Sequence, residues 1–185
     1  MAHIIELETD RLIMRQWRED DFPIFAELNS DPIVMEFFPN IMNKSESDKS
    51  AKRYQSLILQ HGWGLWALEQ KRDQKFIGFV GLHESPPDLP FSPCVEVGWR
   101  LAKKSWGNGY ATEAAKEALR FAFEVLQLPE VCSFTSTNNL RSRAVMERLN
   151  MVNIKPNFQH PRVPDGSRGM TTIPRLEGHK AAIYI

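Results

Sequence analysis

Between residues 94 and 128 the chain passes from a short alternating run, CVEVGWRLA, through KKSWGNGY into ATEAAKEALRFAFEVLQL. No other segment restricts the fold as tightly. The first part has the β-branched and aromatic content of a strand. In the last part, Glu113, Lys116, Glu117, Arg120 and Glu124 form one stripe and Ala115, Leu119, Ala122 and Leu126 the opposite one, the pattern of a helix with one buried face. Gly107 and Gly109 sit between them and reach backbone conformations closed to other residues. A strand, a glycine turn and a helix N-terminus bring free N–H groups and partial positive charge to one point, which suits an anion. Lys103 and Lys104 add charge. The same turn also serves as a plain tight connection, and the glycine pair alone does not separate the two readings. The G-x-x-x-x-G-K-[ST] pattern of nucleotide-binding P-loops is missing. The spacing is not G-x-G-x-x-G and the preceding strand reads as antiparallel, which disfavours a dinucleotide fold.

The rest of the chain supplies the class. Residues 11–17 alternate as a strand. REDDFPIFAELNSD follows as a helix, with acids at its start and Phe25 and Leu28 helically spaced. PIVMEFFPN is a short helical turn or loop, and NKSESDKSAKRYQSLILQHG a second helix with Ala51, Tyr54, Leu57 and Ile58 on one side. WGLWALEQ, KFIGFVGLHE and CVEVGWRLA are consecutive strands, joined by the QKRDQK turn and the Pro-rich loop SPPDLPFSP. After the long helix come a strand, EVCSFTS, and a helix, NNLRSRAVMERLN, capped by Asn138 or Asn139 and ended by Asn150. MVNIKPNF is a possible strand, residues 160–179 read as a long Pro/Gly loop, and AAIYI is a possible final strand. Hairpins followed by a β-α-β unit indicate a mixed sheet in one α/β domain over residues 1–185.

Lys and Arg number 23 and Asp and Glu number 23, so the formal charge is zero, which argues against nucleic acid or an anionic membrane as partner. Cys94 and Cys132 stand far apart without ligand-like Cys or His spacing. No metal is expected, and a reducing compartment fits better than a disulfide scaffold. The start, MAHIIELETDRL, is not a signal peptide, and no window has the length of a membrane span, so the reading is cytoplasmic.

KSWGNGYATEA resembles the pyrophosphate-binding motif A of the GNAT N-acetyltransferases, Q/R-x-x-G-x-G/A, with Lys104 where the pattern has Gln or Arg. ETDRLIMRQWREDDF, FIGFVGL, VEVGWRLAKKSWGNGYATEA and NLRSRAVMERLNM resemble the RimJ/RimL-like branch in the same order, over residues 7–158. The resemblance implies a mixed, mostly antiparallel central sheet flanked by helices, in which VEVGWRLA and EVCSFTS run parallel and splay apart. The pantetheine arm of acetyl-CoA would lie in that gap against the backbone of Trp99, Arg100 and Leu101. The pyrophosphate would rest on the amides of Lys104, Ser105, Trp106, Gly107, Asn108 and Gly109, with Tyr110 and Ala111 completing the cofactor site. Asn139 would bind the pantetheine amide, cap its helix, or do both, and one of Arg141, Arg143 and Arg148 would reach the 3′-phosphate.

Acetyl transfer to an amine requires loss of the amine proton, polarisation of the thioester carbonyl and protonation of the leaving thiolate. Glu96, in an otherwise apolar strand beside the implied thioester, is the first candidate base. The competing reading is a solvent-facing carboxylate opposite Val95, Val97 and Trp99. His83, followed by Glu84 at a strand end, is a second proton carrier or acceptor contact. Where many family members carry a Tyr that protonates the thiolate, this chain has Met146. Ser142, three residues after Asn139 as the RimJ/RimL-like resemblance implies, is the acid candidate, to protonate or merely hydrogen-bond the leaving sulfur, and the competing reading is an ordinary helix serine. Phe37 and Phe38 fall in the region that borders the acceptor pocket in the family, whereas Trp63, Trp66 and Trp99 read as core. The C-terminal segment departs most from the family, with His179 and Tyr184 five apart after a loop that would border the acceptor site. The expected function is transfer of acetyl from acetyl-CoA to a primary amine, on a protein N-terminus or a small molecule, by direct attack in a ternary complex, in a monomer or homodimer. The alternatives are a non-catalytic acyl-CoA-binding module and a binder of another phosphorylated ligand.

Overall fold

Leu7, Leu12 and Met14 are buried, with the partly exposed Ile13 between the last two, and this pattern starts the sheet. The computed structural model describes residues 2–85, 87–89, 92–153, 158–159, 170–172 and 174–177. β1 (Leu7–Glu8) pairs with β2 (Leu12–Arg15), and β2 with β3 (Leu65–Gln70). β4 (Phe76–Glu84) and β5 (Val95–Leu101) continue the antiparallel meander. Every residue of β3 is buried, because helices cover both faces of the sheet.

One face carries α1 (Asp21–Ser30) and α2 (Lys44–His61). Their Phe25 and Tyr54 meet Phe79 of β4 and Trp17 in one aromatic cluster. α2 starts in a capping box: the Asn43 side chain accepts from the Glu46 N–H and Glu46 accepts from the Asn43 N–H. The other face carries α3 (Tyr110–Arg120), which buries Ala114, Ala115, Ala118 and Leu119, small enough to bring it close to β4 and β5. Its continuation, Phe121–Val125, widens into a π turn whose Phe121 packs edge-on against Trp66 of β3. α4 (Leu140–Arg148) is capped by Asn139, and Asn150 follows it with φ 57°, the left-handed ending its sequence suggests.

β6 (Glu130–Cys132) joins β5 in parallel through the single pair Glu96↔Cys132. The sheet order is β1-β2-β3-β4-β5-β6-β11-β8, with β8 (Val152–Asn153) and β11 (Pro174–Glu177). β7 (Thr135–Ser136), β9 (Phe158–Gln159) and β10 (Met170–Thr172) form a second, smaller sheet. The mixed, mostly antiparallel architecture with one parallel pair is the expected one.

Two expectations need correction. Residues 160–179 are not simply a loop, since β10 and β11 lie within them. β11 begins at Pro174, and a proline fits a strand at its first residue, where its missing N–H costs no ladder bond. Cys94 and Cys132 are not separate thiols: the Glu96↔Cys132 register brings Cys94 alongside, and the two form a disulfide with Cα atoms 6.6 Å apart. The AAIYI segment lies outside the described residues. Among the described residues no helix is long and apolar enough to cross a membrane, and no cluster of His, Cys, Asp and Glu could hold a metal ion.

The α1 end of the sheet is tied by a buried charge network. Arg15 donates through both terminal nitrogens to Asp21, each at 2.8 Å, and through Nε to Glu69 at 2.7 Å. Nη1 also donates to the Gln16 carbonyl, and Arg18 adds a second cation to Glu69. The fork satisfies both carboxylates, and Arg15 is held above the ordinary arginine pKa: burial opposes the charge, but the two acids outweigh it.

Candidate active site

β5 and β6 touch at one residue pair and then part. β6 ends at Cys132, residues 133–136 turn toward the smaller sheet, and the free edge of β5 beyond Glu96 faces a gap. A cavity of about 1340 Å³ fills that gap and continues over the α1–α2 face of the sheet. Unpaired backbone along a strand is a ready partner for an extended amide ligand. Trp99, Arg100 and Leu101 line one wall and residues 133–136 with Asn139 the other.

The glycine turn closes one end. Lys103–Ser105 forms a 3₁₀ turn, Trp106 Nε1 donates to the Leu101 carbonyl at 2.8 Å, and Asn108 Nδ2 donates to the carbonyls of Ser105 and Trp106. Gly107 and Gly109 have φ of 75° and 80° and lead directly into α3. A Cβ at Gly107 would meet nothing within 4 Å, so there is room above the main chain for a phosphate group. Ser105, Trp106, Gly107, Gly109, Tyr110 and Ala111 line the cavity; Lys104 and Asn108 do not. Arg11 lies behind the turn, its guanidinium over the Tyr110 ring and paired with Glu113. Burial opposes the Glu113 charge, but Thr9 and Arg11 outweigh it and hold its pKa below the ordinary value.

At the far end β4 and β5 present one row of side chains to the α1–α2 face. The register pairs His83 with Glu96, Gly81 with Gly98 and Phe79 with Arg100. Glu96 is buried, not solvent-facing. Its Oε2 lies 3.0 Å from His83 Nε2, yet it has no well-aligned hydrogen bond. His83 Nδ1 lies 3.0 Å from the Glu84 carbonyl, which fixes the proton on that nitrogen in the neutral ring. Burial is the strongest influence on His83 and disfavours its charge, but Glu96 and the Glu84 carbonyl together raise its pKa above 6.5. A Cβ added to Gly98 would come no closer than 4.0 Å to Glu96 Oε1, His83 Nε2 and Leu65 Cδ2. At Gly81 it would run into the Gly64 carbonyl.

Ser142 and Asn139 stand on the opposite wall. The Asn139 side-chain oxygen accepts from the Ser142 N–H at 3.2 Å. Its Nδ2 donates to Thr135 Oγ1 at 3.0 Å and to Ser142 Oγ at 3.1 Å, so the cap also aims the serine hydroxyl. Met146 is buried in the same wall. Phe37 and Phe38 line the mouth: Arg141 reaches Glu36 at 3.0 Å and packs over Trp106 and Phe37, while Arg100 stacks on Phe38. Arg141 and Arg148 line the cavity, whereas Arg143 turns away to the Thr137 carbonyl.

Sequence reading did not find Arg53, Tyr54, Leu57 or the side-chain role of Arg100 in this cavity. For Arg100 a signal existed: it has the same strand parity as Glu96 and Gly98.

A family model described as Acetyltransferase (GNAT) domain matches residues 11–152. The uncharacterized protein YkkB of Bacillus subtilis is 30% identical over 147 residues, 79% of this chain and 84% of its own. FsC-acetyl coenzyme A-N(2)-transacetylase of Aspergillus fumigatus is 44% identical over 107 residues, 56% of this chain and 45% of that protein. Among solved structures, an acetyltransferase from Agrobacterium tumefaciens superposes with TM-score 0.76 at 25% identity, covering 96% of both chains. Mycobacterium smegmatis RimJ in complex with CoA-disulfide superposes with TM-score 0.74 at 16% identity, covering 92% of this chain and 84% of that one, a likeness of fold.

Proposed function

Since the chain belongs to the GNAT acetyltransferase family, and is thus an N-acetyltransferase, we propose that its cavity transfers acetyl from acetyl-CoA to a primary amine by direct attack in a ternary complex. The observation that carries this reading is the pair of half-buried His83 and buried Glu96, lining the cavity at the point where β5 and β6 part. The bound thioester supplies an activated acetyl group. The chain's residues hold it, align the amine and manage the protons.

With both partners deprotonated, His83 Nε2 and Glu96 Oε2 are two acceptors 3.0 Å apart with no proton between them. An ammonium entering beside them loses its proton into that slot and becomes a nucleophile. The raised pKa of His83 makes the pair a better proton acceptor near neutral pH than a lone imidazole. The gap between the strands takes the pantetheine arm, and the glycine turn takes the pyrophosphate. Ser142, aimed by Asn139, hydrogen-bonds the departing sulfur.

The first test is calorimetric titration with acetyl-CoA beside a Gly109→Trp variant. Micromolar binding that the variant loses supports the cofactor site; no binding by the unmodified protein overturns it. Turnover is then followed as CoA release with a panel of amines. Glu96→Gln is expected to lose about 10²–10⁴-fold in kcat with acetyl-CoA affinity retained. A variant as active as the parent would overturn the assigned base, and a protein that binds acetyl-CoA but acetylates no amine would be a binding module instead. The rate should rise with pH as the dyad loses its proton, with a midpoint above 6.5 that shifts in His83→Gln.

A further inference from the structure

Arg100 is a buried cation with no counter-ion among the described residues. It is 8% exposed, and Nη1 donates to Asn29 Oδ1 at 2.7 Å. Asn29 is itself fully buried and donates Nδ2 to Ser47 Oγ at 2.9 Å, which fixes its oxygen toward the arginine. Nε is buried with no hydrogen bond, and Nη2 makes none to any described residue. The guanidinium is clamped 3.9 Å over Phe38, with Phe79 at 5.5 Å on its own strand pair. Burial lowers its pKa from the ordinary value, with Tyr54 acting in the opposite direction. An arginine nevertheless keeps its proton near neutral pH. A buried charge left with one neutral partner is costly unless something completes it. What remains without a partner on this guanidinium is the Nε–Nη2 edge, the side that grips a carboxylate with two parallel bonds.

That residue also lines the cavity. Glu96, Gly98 and Arg100 alternate onto one face of β5, and the backbone distance from first to last is about 13 Å at strand rise. Gly98 leaves the space between them clear. We propose that Arg100 binds a carboxylate carried by the acceptor, so that the acceptor is an amino-carboxylate held with its amine at Glu96 and His83 and its acid group at the arginine fork. This rests on the acetyl-transfer reading of the same cavity, and it names the acceptor class that reading leaves open. The amine and the acid lie on one molecule, with several bonds between them. The carboxylate belongs either to a small amino acid or to a peptide with an acidic side chain near its free N-terminus.

The test compares matched acceptors with acetyl-CoA at saturation: glycine, γ-aminobutyrate and ε-aminocaproate beside their amides, and Ala-Asp-amide beside Ala-Asn-amide. Parent protein, Arg100→Gln, Arg100→Lys and Phe38→Leu are assayed, with acetyl-CoA affinity measured for each. At least one acid is expected to exceed its amide about thirtyfold in kcat/KM, the scale of a charge-assisted hydrogen-bonded pair. In Arg100→Gln that ratio should fall below about threefold, and Arg100→Lys should recover only part of it because an ammonium lacks the fork. Phe38→Leu, at an exposed position, should lower the ratio in a protein that folds even if Arg100→Gln does not. A small acid or the Asp peptide showing the preference identifies the source of the carboxylate.

Equal turnover of acids and amides, a preference that survives in Arg100→Gln, or failure to acetylate any acid by a protein that binds acetyl-CoA overturns the inference. Loss of acetyl-CoA affinity in Arg100→Gln assigns the arginine to the cofactor and also overturns it. Failure of the parent to bind acetyl-CoA overturns instead the function on which the inference rests.

Discussion

Two buried arginines of this sheet have opposite surroundings. Arg15 on β2 is enclosed by Asp21 and Glu69 and uses all three nitrogens. Arg100 on β5 has one neutral amide, two aromatic rings and an unpaired edge. Neighbours raise the pKa of the first and burial lowers that of the second. The fold therefore satisfies a buried guanidinium where the charge ties elements together. It leaves one unsatisfied where the residue faces the cavity. Unpaired buried polarity is a local violation that proteins tolerate chiefly at functional sites.

Stability measurements can break this contrast. Arg15→Met should cost about 3–5 kcal/mol in urea unfolding, because it leaves buried Asp21 without a cation and Glu69 with only the exposed Arg18. Arg100→Met should stay within about 1 kcal/mol of the parent, since losing the Asn29 bond is offset by removing an uncompensated charge. Equal costs would make Arg100 a structural residue. A smaller effect sharpens the contrast through pH. The raised pKa of His83 gives a contribution that is full below about 6.5 and lost as pH rises through the folded value, and His83→Gln should flatten that part of the curve. Glu113 acts with the reverse sign: its depressed pKa adds stability above the unfolded value of 4.5 that disappears as pH falls through the folded one. Because Arg11 is half exposed, Glu113→Gln should change the acid limb by less than about 1 kcal/mol. Least of all, Arg120→Ala on the surface of α3 should cost under about 0.5 kcal/mol despite its pairs with Glu117 and Glu124.

The sequence showed most clearly those features whose cause is local. The stripe on α3, the Asn139 cap, the Asn150 ending and the apolar runs of β3, β4 and β5 each follow from residues a few positions apart. β10 and β11 were hidden because Pro and Gly flank short strands that depend on distant partners, β7 and β6. The Cys94–Cys132 bridge was hidden for the same reason, since only the β5–β6 register brings residues 38 apart in sequence together. In the candidate site, Glu96 and His83 were separately visible as titratable groups. Their pairing required the β4–β5 register, and the burial of Glu96 required α1 and α2 to cover that face. Arg100 was read through its backbone alone, because nothing in the sequence places Asn29 and Phe38 around its side chain.

Gly98 separates the demands of folding from those of selectivity. Gly81, its partner across the strands, must remain a glycine because the Gly64 carbonyl occupies the space beside it. Gly98 has no such neighbour: a methyl there would stay 4.0 Å from Glu96, His83 and Leu65, whereas a larger group would meet them. One codon can therefore narrow the channel between Glu96 and Arg100 while the protein keeps its melting temperature. In a lineage of such enzymes the shape of this cavity is free to drift at this position, with the His83–Glu96 pair and the scaffold inherited unchanged.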